Sequence, residues 1–179
     1  SNGGKLLLFP EGKTHTDSEV KKAKTGAARI MLIALRKAEK ENKSPPNIIP
    51  VGLHYSNSKK FRERGAVILE RPMKLPDTPS IIEDDEMQKE HDRLWVSKVT
   101  EFIEAELKRA SHSKISWEER RLIWQGRSVV YAERAIKSGE KIRRLGFAES
   151  VLGARRMRAG WEYFTANDPE RIDTIVLKS

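Results

Sequence analysis

The period of apolar positions changes twice along this chain. Leu6-Leu7-Leu8-Phe9 is a short unbroken apolar run stopped by Pro10-Glu11-Gly12, the pattern of an interior strand ending in a tight turn. From about Ser18 to Lys43 the apolar positions are Ala27, Ile30, Met31, Ala34, Leu35 and Ala38. Their three- and four-residue spacing predicts an amphipathic helix. Ser44-Pro45-Pro46-Asn47 ends it, and Ile48 to Tyr55 reads as a second strand. Pro50 places an edge, a bulge or a strand end there, because proline donates nothing to a ladder. Ala66-Val67-Ile68-Leu69 gives a third strand, closed by Pro72 and Pro76. Strand, helix and strand with connections of this length predict a right-handed, parallel βαβ unit plus a further strand.

Beyond Pro76 the pattern is helical throughout. Glu83 to Ala110 places Met87, Leu94, Trp95, Val99, Phe102, Ile103 and Leu107 on one face. Trp117 to Ser138 carries Ile123, Trp124, Val130, Tyr131 and Ala135, with Gly139 as its stop, and Lys141 to Ala166 is an Arg-rich third helix. Asn167-Asp168-Pro169-Glu170 has the form of a new helix start. The reading is therefore α/β, with residues 1–76 as part of an α/β domain and 77–179 as a helical extension. The abrupt first strand and the short last helix read as cuts through a longer protein. Trp117, Trp124 and Trp161 suit either a helical core or a bilayer interface. A helical partner-binding or regulatory role is equally open for this region.

Charge narrows the partners. Of a net +9, residues 1–75 carry all the excess, with 16 basic and 7 acidic side chains, whereas 76–179 carry 19 of each. A basic face of this kind attracts phosphate, whether in a metabolite, an anionic lipid headgroup or nucleic acid. There is no cysteine, which excludes disulfides, thiolate metal sites and a cysteine nucleophile. The longest mostly apolar stretch, around Ala27 to Leu35, is far short of the ~20 residues of a spanning helix.

The candidate chemistry gathers around Phe9-Pro10-Glu11-Gly12. Gly12 can take positive φ and turn backbone N–H groups outward. Lys13 and His15 follow at once. One carboxylate, one glycine and several donors suit a small phosphorylated or hydroxylated ligand; an ordinary polar turn is the plain alternative. Lys24-Thr25-Gly26 lies where the helix begins. Gly26 there serves either close packing on the sheet or an anion held at a helix N-terminus beside a lysine.

Taken in order, these motifs resemble the glycerol-phosphate acyltransferase superfamily. Phe9-Pro10-Glu11-Gly12 is similar to its third sequence block, and Lys24-Thr25-Gly26-Ala27-Ala28-Arg29 to the segment after it. Ile49-Pro50-Val51-Gly52 is similar to the fourth block. Phe61-Arg62-Glu63-Arg64-Gly65, leading into Val67 to Pro72, resembles the strand that closes the catalytic domain. The His15-Thr16-Asp17 continuation with Thr-Gly-Ala-Ala-Arg looks most like the glycerol-3-phosphate/dihydroxyacetone-phosphate branch.

The resemblance implies transfer of a fatty acyl group from acyl-CoA or acyl carrier protein, used as co-substrate without a further cofactor, to a hydroxyl of glycerol 3-phosphate, dihydroxyacetone phosphate or lysophosphatidate. It implies that Glu11 and Gly12 shape the glycerol-phosphate pocket. Lys24 would neutralise phosphate, with Lys13, His15, Gly26 and Arg29 as further substrate contacts. Ile49 and Pro50 would line the acyl or thioester side. It also implies a membrane-associated enzyme on the cytoplasmic face, against anionic lipid.

The family's catalytic pair, a histidine with an aspartate five positions on, is absent. Val20, Lys59, Val96 and Trp117 stand five positions after His15, His54, His91 and His112. The family's second block, with its arginine, is missing as well. The expectation is a fragment, inactive by itself, in which residues 1–76 are the C-terminal half of the acyltransferase α/β domain and the missing blocks lie upstream of Ser1. The competing reading is a basic nucleic-acid-binding or helical interaction module, supported by the charge and the segment Arg143 to Arg158. No recognised DNA or RNA motif accompanies that segment, and aromatics are not interleaved with its basic residues. Nucleic acid is therefore not the expected partner.

Overall fold

The computed structural model describes residues 4–13, 15, 17, 19–56, 61–111 and 117–170. The elements among them are α1 (Gly26–Lys40), β1 (Val51–Tyr55), β2 (Gly65–Leu69), α2 (Asp85–Ala110), α3 (Trp117–Lys137) and α4 (Phe147–Asn167). The architecture is mixed α/β, with four helices and one two-stranded antiparallel sheet among the described residues. Two compact units divide the chain, residues 1–52 with 69–113, and residues 53–68 with 114–179. The expected boundary after residue 76 falls inside the first unit, because α2 packs on α1. Asn167 ends α4 with Asp168 as its cap, and the helix expected to follow Asn167 to Glu170 lies outside the described residues.

In the first unit the core is a stripe of each helix. Ala28, Met31 and Leu32 of α1 meet Trp95, Val96, Val99 and Ile103 of α2. Val99 and Ala28 are wholly buried. The stripe on α1 is rotated from the expected one, leaving Ile30 exposed while Ala27 and Leu35 flank the core. Polar contacts fix the pairing. Arg36 Nη1 and Nη2 donate to the two Asp92 oxygens at 2.6 and 2.5 Å, and Gln88 Nε2 donates to Asp92 Oδ1 at 2.8 Å. Burial alone would raise the Asp92 pKa; the Arg36 fork and the Gln88 amide outweigh it and hold the carboxyl below its ordinary value.

Local signals account for the ends of these helices. Asp84 caps α2 by accepting from the N–H groups of Glu86 and Met87 at 2.8 and 2.9 Å. Asn42, at φ 49°, closes α1. Lys43 N–H reaches Ala38 O, and Asn42 N–H reaches Glu39 O, at 2.8 and 3.1 Å.

Two expectations are corrected here. Leu6 to Phe9 is not a strand; Leu6, Leu7 and Phe9 are 68%, 69% and 67% exposed. An apolar run becomes a strand only where a neighbour supplies a ladder, and the described residues supply none. The parallel βαβ unit is likewise absent among the described residues. β1 pairs instead with β2, the next strand in the chain, through a short connection, and that requires antiparallel order. Ser56 N–H donates to Arg64 O, and Glu70 N–H to Pro50 O, both at 3.0 Å. Pro50 therefore stands just before β1, where only its carbonyl is needed.

In the second unit α3 packs on α4. Gly139, at φ +68°, ends α3, with Glu140 N–H on Ala135 O and Gly139 N–H on Ile136 O at 2.8 and 3.1 Å. At the start of α4, Glu149 accepts from Gly146 N–H at 2.8 Å and from Arg143 Nη2 and Nη1 at 2.8 and 3.2 Å. Those contacts, Arg143's hydrogen bonds first, lower the Glu149 pKa from 4.5 to about 2. A folded-state pKa below the unfolded one stabilises the fold above the ordinary value, and this is lost as pH falls through the depressed one. The first turn of α4 is thus expected to loosen between pH 4.5 and about 2. Amide exchange around Gly146 to Ser150 should report it, and Glu149→Gln should abolish that pH dependence. Among the described residues no helix is long and apolar enough to cross a membrane.

Candidate functional site

The loop from Phe9 to Lys24, in the first unit, is closed at both ends. Gly12 N–H donates to Phe9 O at 3.0 Å, a turn with proline in its second position and glycine in its fourth. Lys24 N–H donates to Pro10 O at 2.8 Å, so the far end of the loop returns to the turn. Ala23, buried beside it, donates its N–H to Glu104 Oε2 of α2 at 3.0 Å. Glu104 also accepts from Lys108 Nζ at 2.5 Å, and the Lys108 contact followed by the Ala23 N–H lowers its pKa.

Inside the loop Glu11 is the organising side chain. Its Oε2 accepts Lys21 N–H at 2.7 Å and lies 2.7 Å from His15 Nε2. A carboxylate oxygen accepts, so Nε2 is the donor of that contact. Nδ1 is buried without a hydrogen-bond partner among the described residues, with Asp17 Oδ2 4.0 Å away. Asp17 is paired with the Lys21 ammonium, whose hydrogen bond and charge hold the carboxyl below its ordinary range and raise the Lys21 pKa in return.

Gly12 adopts φ +68°, where a side chain costs about 1–2 kcal/mol. The Lys24 side chain lies against it. A Cβ at Gly12 would stand 2.6 Å from Lys24 Nζ and 2.9 Å from its Cε. The fold thus gathers a carboxylate–imidazole pair, a left-handed glycine and an exposed ammonium. Such a set can neutralise a phosphate with Lys24 while Glu11 and His15 hydrogen-bond a neighbouring hydroxyl.

Of the residues singled out from sequence, Glu11, Gly12, His15 and Lys24 come together. Lys13 is exposed on the same loop, and Gly26 and Arg29 are exposed on the first turn of α1. The packing role for Gly26 does not hold, since nothing lies within 4 Å of a Cβ placed there. Thr25 caps α1 without a side-chain hydrogen bond, and its first turn holds no acid. Ile49 and Pro50 lie on the approach to β1, tied through Pro50 O to Glu70 N–H; Pro50 is buried and Ile49 exposed.

Glu104 and Lys21 are the positioning residues that sequence reasoning missed. Glu104 and Lys108 stand four residues apart on α2, and the backbone N–H that Glu104 accepts, that of Ala23, is 81 residues away in sequence. The Lys21 contact to Glu11 uses a backbone N–H, which no side-chain motif encodes. Comparison with protein families, with curated proteins and with solved structures finds no match to this chain.

Proposed function

We propose that this chain carries the glycerol-phosphate-binding part of a glycerolipid acyltransferase working at an anionic membrane surface. The acyl group would come from acyl-CoA or acyl carrier protein. One observation supports this reading above the others: Lys24 lies over the positive-φ Gly12 beside the Glu11–His15 pair, among the residues that the motif resemblance assigns to substrate. The phosphate would sit on Lys24, and the glycerol hydroxyls would meet Glu11 and His15. The Asp-paired histidine of the family is not in the sequence, so the chain alone should bind substrate without transferring an acyl group.

Calorimetric titration of the whole chain tests this. Glycerol 3-phosphate is expected to bind more tightly than inorganic phosphate, and glycerol not measurably. Lys24→Ala should weaken glycerol 3-phosphate at least tenfold, in line with about 1.5–3 kcal/mol for a hydrogen bond to a charged group. Glu11→Ala should bring glycerol 3-phosphate and phosphate to similar affinity, because the hydroxyl contacts are lost while the cation stays. Equal binding of both ligands by the unaltered chain would count against the reading.

A further inference from the structure

The second unit contains a cavity of about 680 Å³ between α3 and α4, within the roughly 300–1,000 Å³ range of small-molecule sites. Its walls are mainly apolar, from Val130, Leu145, Leu152, Met157, Trp161 and Phe164, while Arg127, Arg134 and Arg156 also line it. A second hollow of about 390 Å³ shares Arg127, Tyr131 and Leu145 with it and adds Arg64, Arg143 and Arg144. Glu149 is the one carboxylate in either lining among the described residues, and Arg143 already engages it.

Arg127 stands where the two linings overlap. Its side chain crosses Gly153, where a Cβ would lie 3.0 Å from Arg127 Cδ, and its guanidinium sits 5.0 Å from the Trp124 ring. Nη2 donates to Ser128 Oγ at 2.9 Å, and Nη1 is buried without a hydrogen-bond partner among the described residues. Burial lowers the Arg127 pKa, as expected of a cation removed from water without an anion.

We propose that this α3–α4 cavity binds a single-chain anionic amphiphile, its alkyl or acyl chain against the apolar walls and its carboxylate or phosphate head on the arginines around Arg127. Charge complementarity selects this occupant. An apolar helix would fill the walls and leave the guanidinium groups unpaired, and a second copy of this unit would bring its own arginines against them. An amphiphile satisfies both halves, chain by burial and head by charge-assisted hydrogen bonds. The site is separate from the Phe9–Lys24 loop and does not rest on the reading of that loop.

The wall offers a direct test. Gly160 lines the cavity, and nothing lies within 4 Å of a Cβ placed there, so Gly160→Leu can start a side chain into the space. The whole chain is titrated with octyl, decyl and dodecyl phosphate and with the matching fatty acids, below their micelle concentrations, by calorimetry and tryptophan fluorescence. Affinity is expected to fall about three- to fourfold per methylene removed. Gly160→Leu should weaken dodecyl phosphate at least tenfold with unchanged far-UV circular dichroism. Arg127→Gln should weaken both anionic series at least fivefold and leave dodecyl maltoside unchanged. Tighter binding of phosphate heads assigns a lysophosphatidate-like source, and tighter binding of carboxylates a free fatty acid. In the unaltered protein, the bound amphiphile should slow amide exchange in α3 and α4, a readout independent of either variant folding. Affinity indifferent to chain length, unchanged exchange, or self-association without amphiphile uptake would overturn the proposal.

Discussion

Trp95→Ala is expected to remove a large part of the stability of the first unit. Trp95 is 6% exposed and packs with Met31, Leu32, Val99 and Ile103 where α1 and α2 meet. Its indole N–H also donates to Asp77 O at 3.0 Å, fixing the chain ahead of α2. Truncating a buried Trp costs about 3–5 kcal/mol, against about 5–15 kcal/mol for a whole domain. Amide exchange of α1 and α2 should therefore accelerate at least about 100-fold. Trp95→Phe keeps a ring but loses the hydrogen bond, so its effect should be clearly smaller. If Trp95→Ala leaves exchange in α1 unchanged, the α1–α2 core does not hold the unit together.

What could be read from the sequence follows the distance over which each feature is decided. The helices from Asp85, Trp117 and Phe147 have their own periodicity, and Asp84 and Gly139 act within one turn of where they stand. The first strand failed because Leu6 to Phe9 describe only the apolarity of a strand, whereas a ladder depends on another segment. The helix expected from Ser18 starts at Gly26 because the backbone before it is committed elsewhere, Lys21 to Glu11, Ala23 to Glu104 and Lys24 to Pro10. The same contrast runs through the candidate site. Glu11, Gly12, His15 and Lys24 lie close in sequence and were legible as a group. Glu104, which anchors the loop from α2, was not, since nothing local ties it to Ala23. Gly26 stayed open in the sequence, because a glycine at a helix start looks alike whether another element packs on it or not.

Gly12→Ala should reproduce the binding defect of Lys24→Ala at small cost to stability. Alanine at φ +68° is strained by about 1–2 kcal/mol, which the loop can absorb by shifting. Its methyl group would, however, occupy the place of the Lys24 ammonium, 2.6 Å from Nζ. Nζ ends a flexible side chain, so it will swing away rather than disrupt the fold. Displacing the cation should lower glycerol 3-phosphate affinity about tenfold, as an interaction with a charged group of about 1.5 kcal/mol would. Because both substitutions act through one ammonium, their effects should not add. The double variant should bind about as weakly as Lys24→Ala alone, a coupling that a double-mutant cycle measures directly. Additive losses would mean that Gly12 serves the ligand through its own backbone, and that the cation and the turn are separate contacts. A full loss in Gly12→Ala with none in Lys24→Ala would remove the lysine from the site altogether and leave the Glu11–His15 pair as its centre.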